Sequence, residues 1–380
     1  MRNYLSGWQQ AAGRLLLWLF PLLLGCGLND APQFELNLEG RDPAKITAAQ
    51  KEAITKTLTA LFGTPDQPRE PQGVHLDRAL LDRAAGPVGN DAKGHPRGLY
   101  RQQCVACHGI CGNGTGPNAS LLSPYPRDFR RGIFKYTSTS DGAKPTIDDL
   151  RHTLRRGIPG TAMPSFMRFA DEDIDALVEY VKYLSIRGET ELYLLGLVVD
   201  QGQRLPLNLD QVKKDGVKPV DDAWQAPVRD PSLVVDPPPP PPDTPEERLA
   251  TIARGRQIFL SKEARCVECH GKEGRGDGER KDLYDDWNKP KKGHTPSDTE
   301  AFAGLYTLPL TPIRPRNFTE GIFHGGSRPI DLYWCICVGI KGTPMPAAGP
   351  SKAGKGALTP AQIWDVATYV RWLAIQSRSR

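Results

Sequence analysis

Two short stretches place thiols and an imidazole within five residues, CVACHG at 104 to 109 and CVECHG at 266 to 271. In each, cysteines at i and i+3 share one face of a turn and a histidine follows the second: Cys104, Cys107 and His108, then Cys266, Cys269 and His270. Thiols so spaced add across the two vinyl groups of one haem, and the adjacent imidazole is held beneath the iron as its proximal ligand. That makes C-x-x-C-H the attachment signature of c-type haem. A zinc site would need further Cys or His at ligand spacing, and a redox dithiol has no use for either histidine. The sequence predicts two covalently attached c-type haems.

The other side of each iron needs a second ligand. Two of the four methionines occupy matching places, Met163 in GTAMPSF and Met345 in GTPMPAAG. A loop methionine flanked by proline and glycine is stiff and holds its thioether towards iron, and His/Met ligation raises the potential. The plainer alternative is a methionine that fills a core gap. Met167 has no counterpart and reads as packing. Histidine is the rival ligand, but His152 aligns with Trp334, and His75, His95, His294 and His324 have no matched partner, so these read as packing or surface. The glycines of GNGTGP (112 to 117) and GRGDG (274 to 278) suit a backbone that turns close beneath a flat ring. No Lys-Ser/Thr follows them, which rejects a phosphate loop. Arg127 and Arg316 recur and are candidates to pair with haem propionates, with a solvent-facing arginine as the alternative. Cys111, Cys335 and Cys337 remain; their odd number leaves at least one unpaired within the chain, and they read as small buried hydrophobes.

The elements that position these residues follow from an internal repeat. PRDFRRGIF (126 to 134) returns as PRNFTEGIF (315 to 323), and GIPGTAMP (157 to 164) as GIKGTPMP (339 to 346). With the CxxCH pairs, three landmarks occur twice in the same order, which predicts two homologous all-α domains. The second is longer, with a polar insertion, DDWNKPKKGHTPSDTEAFAGLY. Each closes on a helix: Ile174, Leu177, Val178, Val181 and Leu184 form one stripe, and Ile363, Val366, Val370 and Leu373 the other. Thr359, Pro360 and Gln362 make an N-terminal capping box, Thr244, Pro245 and Glu247 start another helix, and Thr146 with Asp149 opens a short one. The expected organisation is a signal at 1–25, an N-terminal extension with one helix at 26–91, a first domain at 92–188, a helix extension and proline-rich linker at 189–245, and a second domain at 246–380. Within the linker, DPPPPPPD would act as a stiff spacer of about 19 Å, at ~3.1 Å per residue.

Glycine and proline number 38 and 35 of 380 residues, well above the roughly 12% of average usage, which favours short helices joined by tight loops. Arg2 and Arg14 precede the apolar run LLLWLFPLLL (15 to 24). That run is shorter than the about 20 residues of a membrane span and is broken by Pro21. It reads as an export signal. LLGC (23 to 26) is similar to a bacterial lipoprotein signal, which implies lipidation of Cys26, attachment to a membrane and a periplasmic or outer-face location; a plain soluble signal is the alternative. The formal charge of +5 is uneven, +5 over 92–188 and +6 over 246–380 against −3 and −5 in the connecting stretches. No block of like charge suits nucleic acid. Basic domains suit encounter with acidic protein surfaces.

On Cys104, Cys107, His108 and Met163, and Cys266, Cys269, His270 and Met345, the chain resembles the class I cytochrome c family, in particular exported di-haem members associated with bacterial respiratory oxidases. The resemblance implies small all-helical domains and single-electron transfer between respiratory proteins, towards a terminal oxidase, with no substrate chemistry because both irons are saturated. Two alternatives stand beside it. One is a di-haem peroxidase or sulfur-compound oxidoreductase with an open iron or one ligated by Cys335 or Cys337. The other is a fixed cytochrome subunit of a respiratory complex.

Overall fold

The computed structural model describes residues 31–38, 41–140, 142–290, 308–350, 354 and 356–378. The signal segment with Cys26, and His294 in the insertion, lie outside them.

The first ordered helix, α1 (Ala48–Phe62), begins at the capping box of Thr47 and Gln50 and buries Ile54, Leu58, Leu61 and Phe62, one face of the sequence pattern. The extension holds a second helix where one was expected, α2 (Arg78–Ala84), capped by the Asp77 carboxylate. Seven residues with two buried positions are too short to show a helical period. A two-residue hairpin, β1 (Gly89–Asn90) and β2 (Pro96–Arg97), is the one sheet among the described residues. Next come α3 (Leu99–Gln103) and the single turn α4 (Val105–His108) carrying the first thiol pair, then α5 (Ile147–Arg156), opened by the Thr146/Asp149 box.

The central element is α6 (Asp171–Leu195), whose first turn carries three acids that suit the positive helix end. Its predicted stripe is fully buried against α1, α2 and α3. Its deeper polar residues are paired rather than exposed, as in Arg187 with Glu191 at 2.8 Å. The stretch after it, expected to be irregular, instead forms α7 (Leu209–Val212) and α8 (Lys218–Arg229). The two join through a wider π-type turn over Lys213–Val217; Pro219 follows that turn, and Pro227 lies inside α8. Trp224 of α8 meets Phe134 edge-on at 5.9 Å, adding this segment to the first core.

The second repeat is built on α9 (Pro245–Phe259), α10 (Cys266–His270), α11 (Pro329–Cys337) and α12 (Pro360–Arg378). α9 crosses α12 so closely at Gly255 that a Cβ there would strike the Asp365 backbone. Phe259, Tyr369, Trp364 and Ile363 fill the core beside this crossing. The caps at Thr244 and Thr359 form as the sequence predicts.

The linker does not hang free between the repeats. The amide of Val235 donates to Ser138 O at 2.8 Å and that of Ser140 to Leu233 O at 2.8 Å, while the indole N–H groups of Trp334 and Trp364 donate to Val235 O and Pro238 O at 3.1 and 2.8 Å. The described part of the insertion likewise lies across the first repeat: Lys135 pairs with Asp285 at 2.9 Å, and the Arg127 guanidinium stacks 3.7 Å over Trp287. Residues Pro32–Arg380 thus make one unit with a broad internal seam. Among the described residues no helix is long and apolar enough to cross a membrane.

Candidate functional site

The first thiol pair sits on one turn. Cys104 caps α4, and the amides of Cys107 and His108 donate back to its carbonyl at 3.2 and 2.8 Å. Gly109 then reverses the chain at φ +73°, a conformation that favours glycine. The loop doubles back beneath the motif: Gly114 N–H donates to His108 O at 3.0 Å and Gly116 N–H to Cys107 O at 3.0 Å. At Gly116 a Cβ would lie 2.6 Å from Ala106 O, so only glycine permits this approach.

His108 is fixed from behind. Its Nδ1 donates to the Arg127 carbonyl at 3.0 Å, and its ring stacks on Phe129 at 4.4 Å. Burial pushes its pKa down to about 4, so the imidazole is neutral and its Nε2 keeps a lone pair for a metal. Burial likewise raises the Cys104 thiol to about 12.

The second centre repeats the first bond for bond. His270 Nδ1 meets Arg316 O at 3.2 Å and its ring stacks on Phe318 at 4.5 Å. Gly276 N–H donates to His270 O at 2.9 Å and Gly278 N–H to Cys269 O at 3.1 Å. Phe318 N–H donates to Gly274 O at 2.8 Å, the distance at which Phe129 N–H meets Gly112 O. The glycine before each of these bonds faces the closing helix, Gly112 against Leu184 and Gly274 against Leu373, each 2.8 Å from where a Cβ would stand.

The methionine loops match too. The amide of Ile158 donates to Met163 O at 3.1 Å and that of Ile340 to Met345 O at 3.2 Å, and Thr161 and Thr343 each brace the methionine amide through Oγ1, at 3.1 and 3.2 Å. Gly157 and Gly339 open the loops at φ +69° and +72°. Both methionines are half-buried, and Met163 packs on the core that contains Cys104 and Phe129. Met167, expected to pack, is 69% exposed, because the turn after Ser165 carries it outwards.

The other candidates are dispersed. His75 and His95 pair with Asp221 and Asp91 at 2.7 and 3.0 Å, His152 meets Arg328 at 3.1 Å, and His324 meets Arg316 at 2.6 Å. Cys111 is buried against the N-terminal segment, where its thiol accepts from Glu35 N–H at 3.3 Å. Cys337 is buried in the second core; Cys335 lies at the seam within reach of Tyr136, where burial raises its thiol to about 12. Arg127 and Arg316 lie at the seam as well; Arg127 Nη2 approaches Lys341 O at 3.4 Å.

Sequence reasoning missed that the carbonyls of these two arginines orient the histidines, and that Phe129 and Phe318 back them. The recurrence of the PR-x-F landmark was the available signal. Two thiols on one turn, a neutral imidazole with one nitrogen tied and one open, and a loop too tight for a Cβ together fit a c-type haem.

Residues 97–185 match the family model for cytochrome c. No curated protein matches the chain. Among solved structures it is similar to a chain of the Kuenenia stuttgartiensis reducing HAO-like protein complex Kustc0457/Kustc0458, at 26% identity and a TM-score of 0.49, over 72% of this chain and 93% of that one. Residues 97–185 therefore form a cytochrome c domain, whose chemistry is electron transfer through covalently bound haem.

Proposed function

We propose that the chain is an exported di-haem c-type cytochrome that carries single electrons between respiratory proteins, towards a terminal oxidase. In this reading Cys104, Cys107 and His108 hold one haem and Cys266, Cys269 and His270 a second, with Met163 and Met345 as the distal ligands. Cys26 carries the lipid anchor that keeps the protein at the periplasmic or outer face of a membrane. The observation that supports the second haem is the bond-for-bond recurrence, around His270, of the contacts that fix His108.

Haem supplies a reversible one-electron ferric/ferrous couple. The chain's own residues set the conditions for it. Arg127 O and Arg316 O hold the imidazoles in the tautomer that leaves Nε2 open, and the phenylalanines lock their planes. Thr161 and Thr343 stiffen the methionine loops, so little rearrangement accompanies a change of charge. Contacts across the seam hold the two centres in one unit, which favours passage of electrons between them over independent shuttling by tethered domains.

A redox titration of Met163→Ala and Met345→Ala tests this reading. Each variant should lower one of two potentials and leave the other near its original value. Two potentials unmoved by either substitution would remove the methionines as ligands, and a high-spin ferric spectrum of the unaltered protein would replace the carrier reading with the peroxidase one.

A further inference from the structure

Arg156 is the last residue of α5, and its Nε, Nη1 and Nη2 are all buried without a hydrogen-bond partner among the described residues. A buried guanidinium left unpaired is among the costliest groups a fold can carry. The carboxylate that flanks Arg156, Asp331, is already engaged. Asp331 accepts from Arg328 Nη2 at 2.7 Å, Arg328 Nε at 3.0 Å and the Arg328 amide at 3.1 Å, with His152 Nε2 3.4 Å away.

The two repeats differ at this place. After the GIF landmark the first repeat reads Lys135-Tyr136-Thr137 and the second His324-Gly325-Gly326. The first therefore offers two hydroxyls, and Thr137 Oγ1 is itself buried without a partner. The second offers no side chain at the equivalent places. The space its glycines cede is shared between the repeats: a Cβ on Gly325 would stand 2.5 Å from Cys335 Sγ and 3.0 Å from the Tyr136 ring, and one on Gly326 would collide with Asp331 Oδ2 and Arg156 Nη1 alike. The Arg156 guanidinium lies 6.0 Å from the centre of the Tyr136 ring.

We propose that Arg156 of the first repeat binds a propionate carboxylate of the haem attached to the second. The proposal rests on the di-haem reading above. A guanidinium pairs with a carboxylate through two parallel hydrogen bonds, and a haem fixed at Cys266 and Cys269 brings carboxylates to its own repeat by covalent attachment. The second repeat has lost the donors that the first retains at this position, and its neighbour supplies the replacement. The seam is therefore part of the cofactor site as well as a packing surface.

Arg156→Met and Arg156→Lys test it, with the potentials of both haems assigned through Met163→Ala and Met345→Ala. Removing a positive charge beside a haem stabilises the ferric state, so the Met variant should lower the second-repeat potential and leave the first near its original value. The Lys variant should restore most of the loss. The propionate bending band in the resonance Raman spectrum of the ferrous protein should shift in the Met variant, and in a smaller degree in the Lys variant should the Met variant not fold. A shift confined to the first-repeat haem, or in neither, overturns the assignment. So does a wild-type second-repeat potential that varies with chloride or phosphate at constant ionic strength, which would identify a free anion as the occupant. A Cys266–Cys269 peptide without the mass of haem would instead refute the di-haem reading, and the proposal with it.

Discussion

Alanine at Gly116 or Gly278 should unseat the loop behind one of the two CxxCH turns without touching a proposed ligand. A Cβ on Gly278 would lie 2.6 Å from Cys269 O, about 0.8 Å inside the 3.4 Å at which ordinary contact begins. The obstruction is backbone on both sides, so the loop must withdraw. Withdrawal breaks the bonds from Gly278 N–H to Cys269 O and from Arg280 N–H to Glu268 O, at 3.1 and 2.9 Å. Two such bonds contribute about 1 kcal/mol each, and overpacking adds about 1–3 kcal/mol. The expected loss is about 3–5 kcal/mol. The same reckoning holds at Gly116, where the bonds at risk are Gly116 N–H to Cys107 O and Asn118 N–H to Ala106 O, at 3.0 and 2.9 Å. Gly196 is the control. It is helical at φ −59° with no neighbour nearer than 3.9 Å, so alanine there should stabilise by about 0.5–1 kcal/mol. Denaturant unfolding of the haem-loaded protein, followed at the haem band, measures all three. Loop variants that unfold within about 0.5 kcal/mol of the unaltered protein, a spread usual for neutral substitutions, would refute the claim that the loops are closed too tightly for a side chain. A loss at only one of the two positions would refute the equivalence of the two centres.

Other outcomes follow from the same contacts. Phe259→Ala opens a cavity between Tyr369 and Phe318, whose ring centres lie 5.4 and 6.3 Å away; it should cost about 3–5 kcal/mol by the same unfolding assay. Trp287→Leu removes the face under Arg127 and should loosen the seam by about 1–2 kcal/mol. The amide of Asp286, which donates to Gly342 O at 2.9 Å, should then exchange faster with deuterium. Asp331 carries a pH dependence: burial raises its pKa, but hydrogen bonds from His152 and Arg328 outweigh this and hold it at about 2 against an ordinary 3.8. Its pKa is lower in the folded state, so its stabilisation is full above about pH 4 and fades as pH falls towards 2. Discounted for solvent screening it is about 1–2 kcal/mol. Urea unfolding of Asp331→Asn and the unaltered protein should converge as pH drops through that window, and a constant gap would contradict it.

Local chemistry was the legible part of the sequence. The capping pairs Thr146/Asp149 and Thr359/Gln362, the stripes of α6 and α12, and the glycines of the attachment loops are short-range features, and each forms as its residues dictate. What escaped depends on distant partners. Nothing near Trp287 in the sequence reveals that Arg127 lies beneath it, and the side-chain character of the arginines gave no hint that their carbonyls orient His108 and His270. The proline segment read as a spacer because polyproline has stiffness of its own; the indoles of Trp364, which holds it at Pro238, and of Trp334, which holds the preceding Val235, come from another part of the chain. α2 was too short to show a period, and α7 and α8 are joined through a wide turn over Lys213–Val217 that breaks the helical period of the sequence.

The central claim is that the thiol pair of the second repeat carries haem as the cytochrome c domain of the first does. Peptide mass spectrometry of the mature protein decides it. The account predicts the mass of one haem on the peptide containing Cys104 and Cys107 and of another on the peptide containing Cys266 and Cys269. Haem on the first peptide alone, with free thiols on the second, would contradict it.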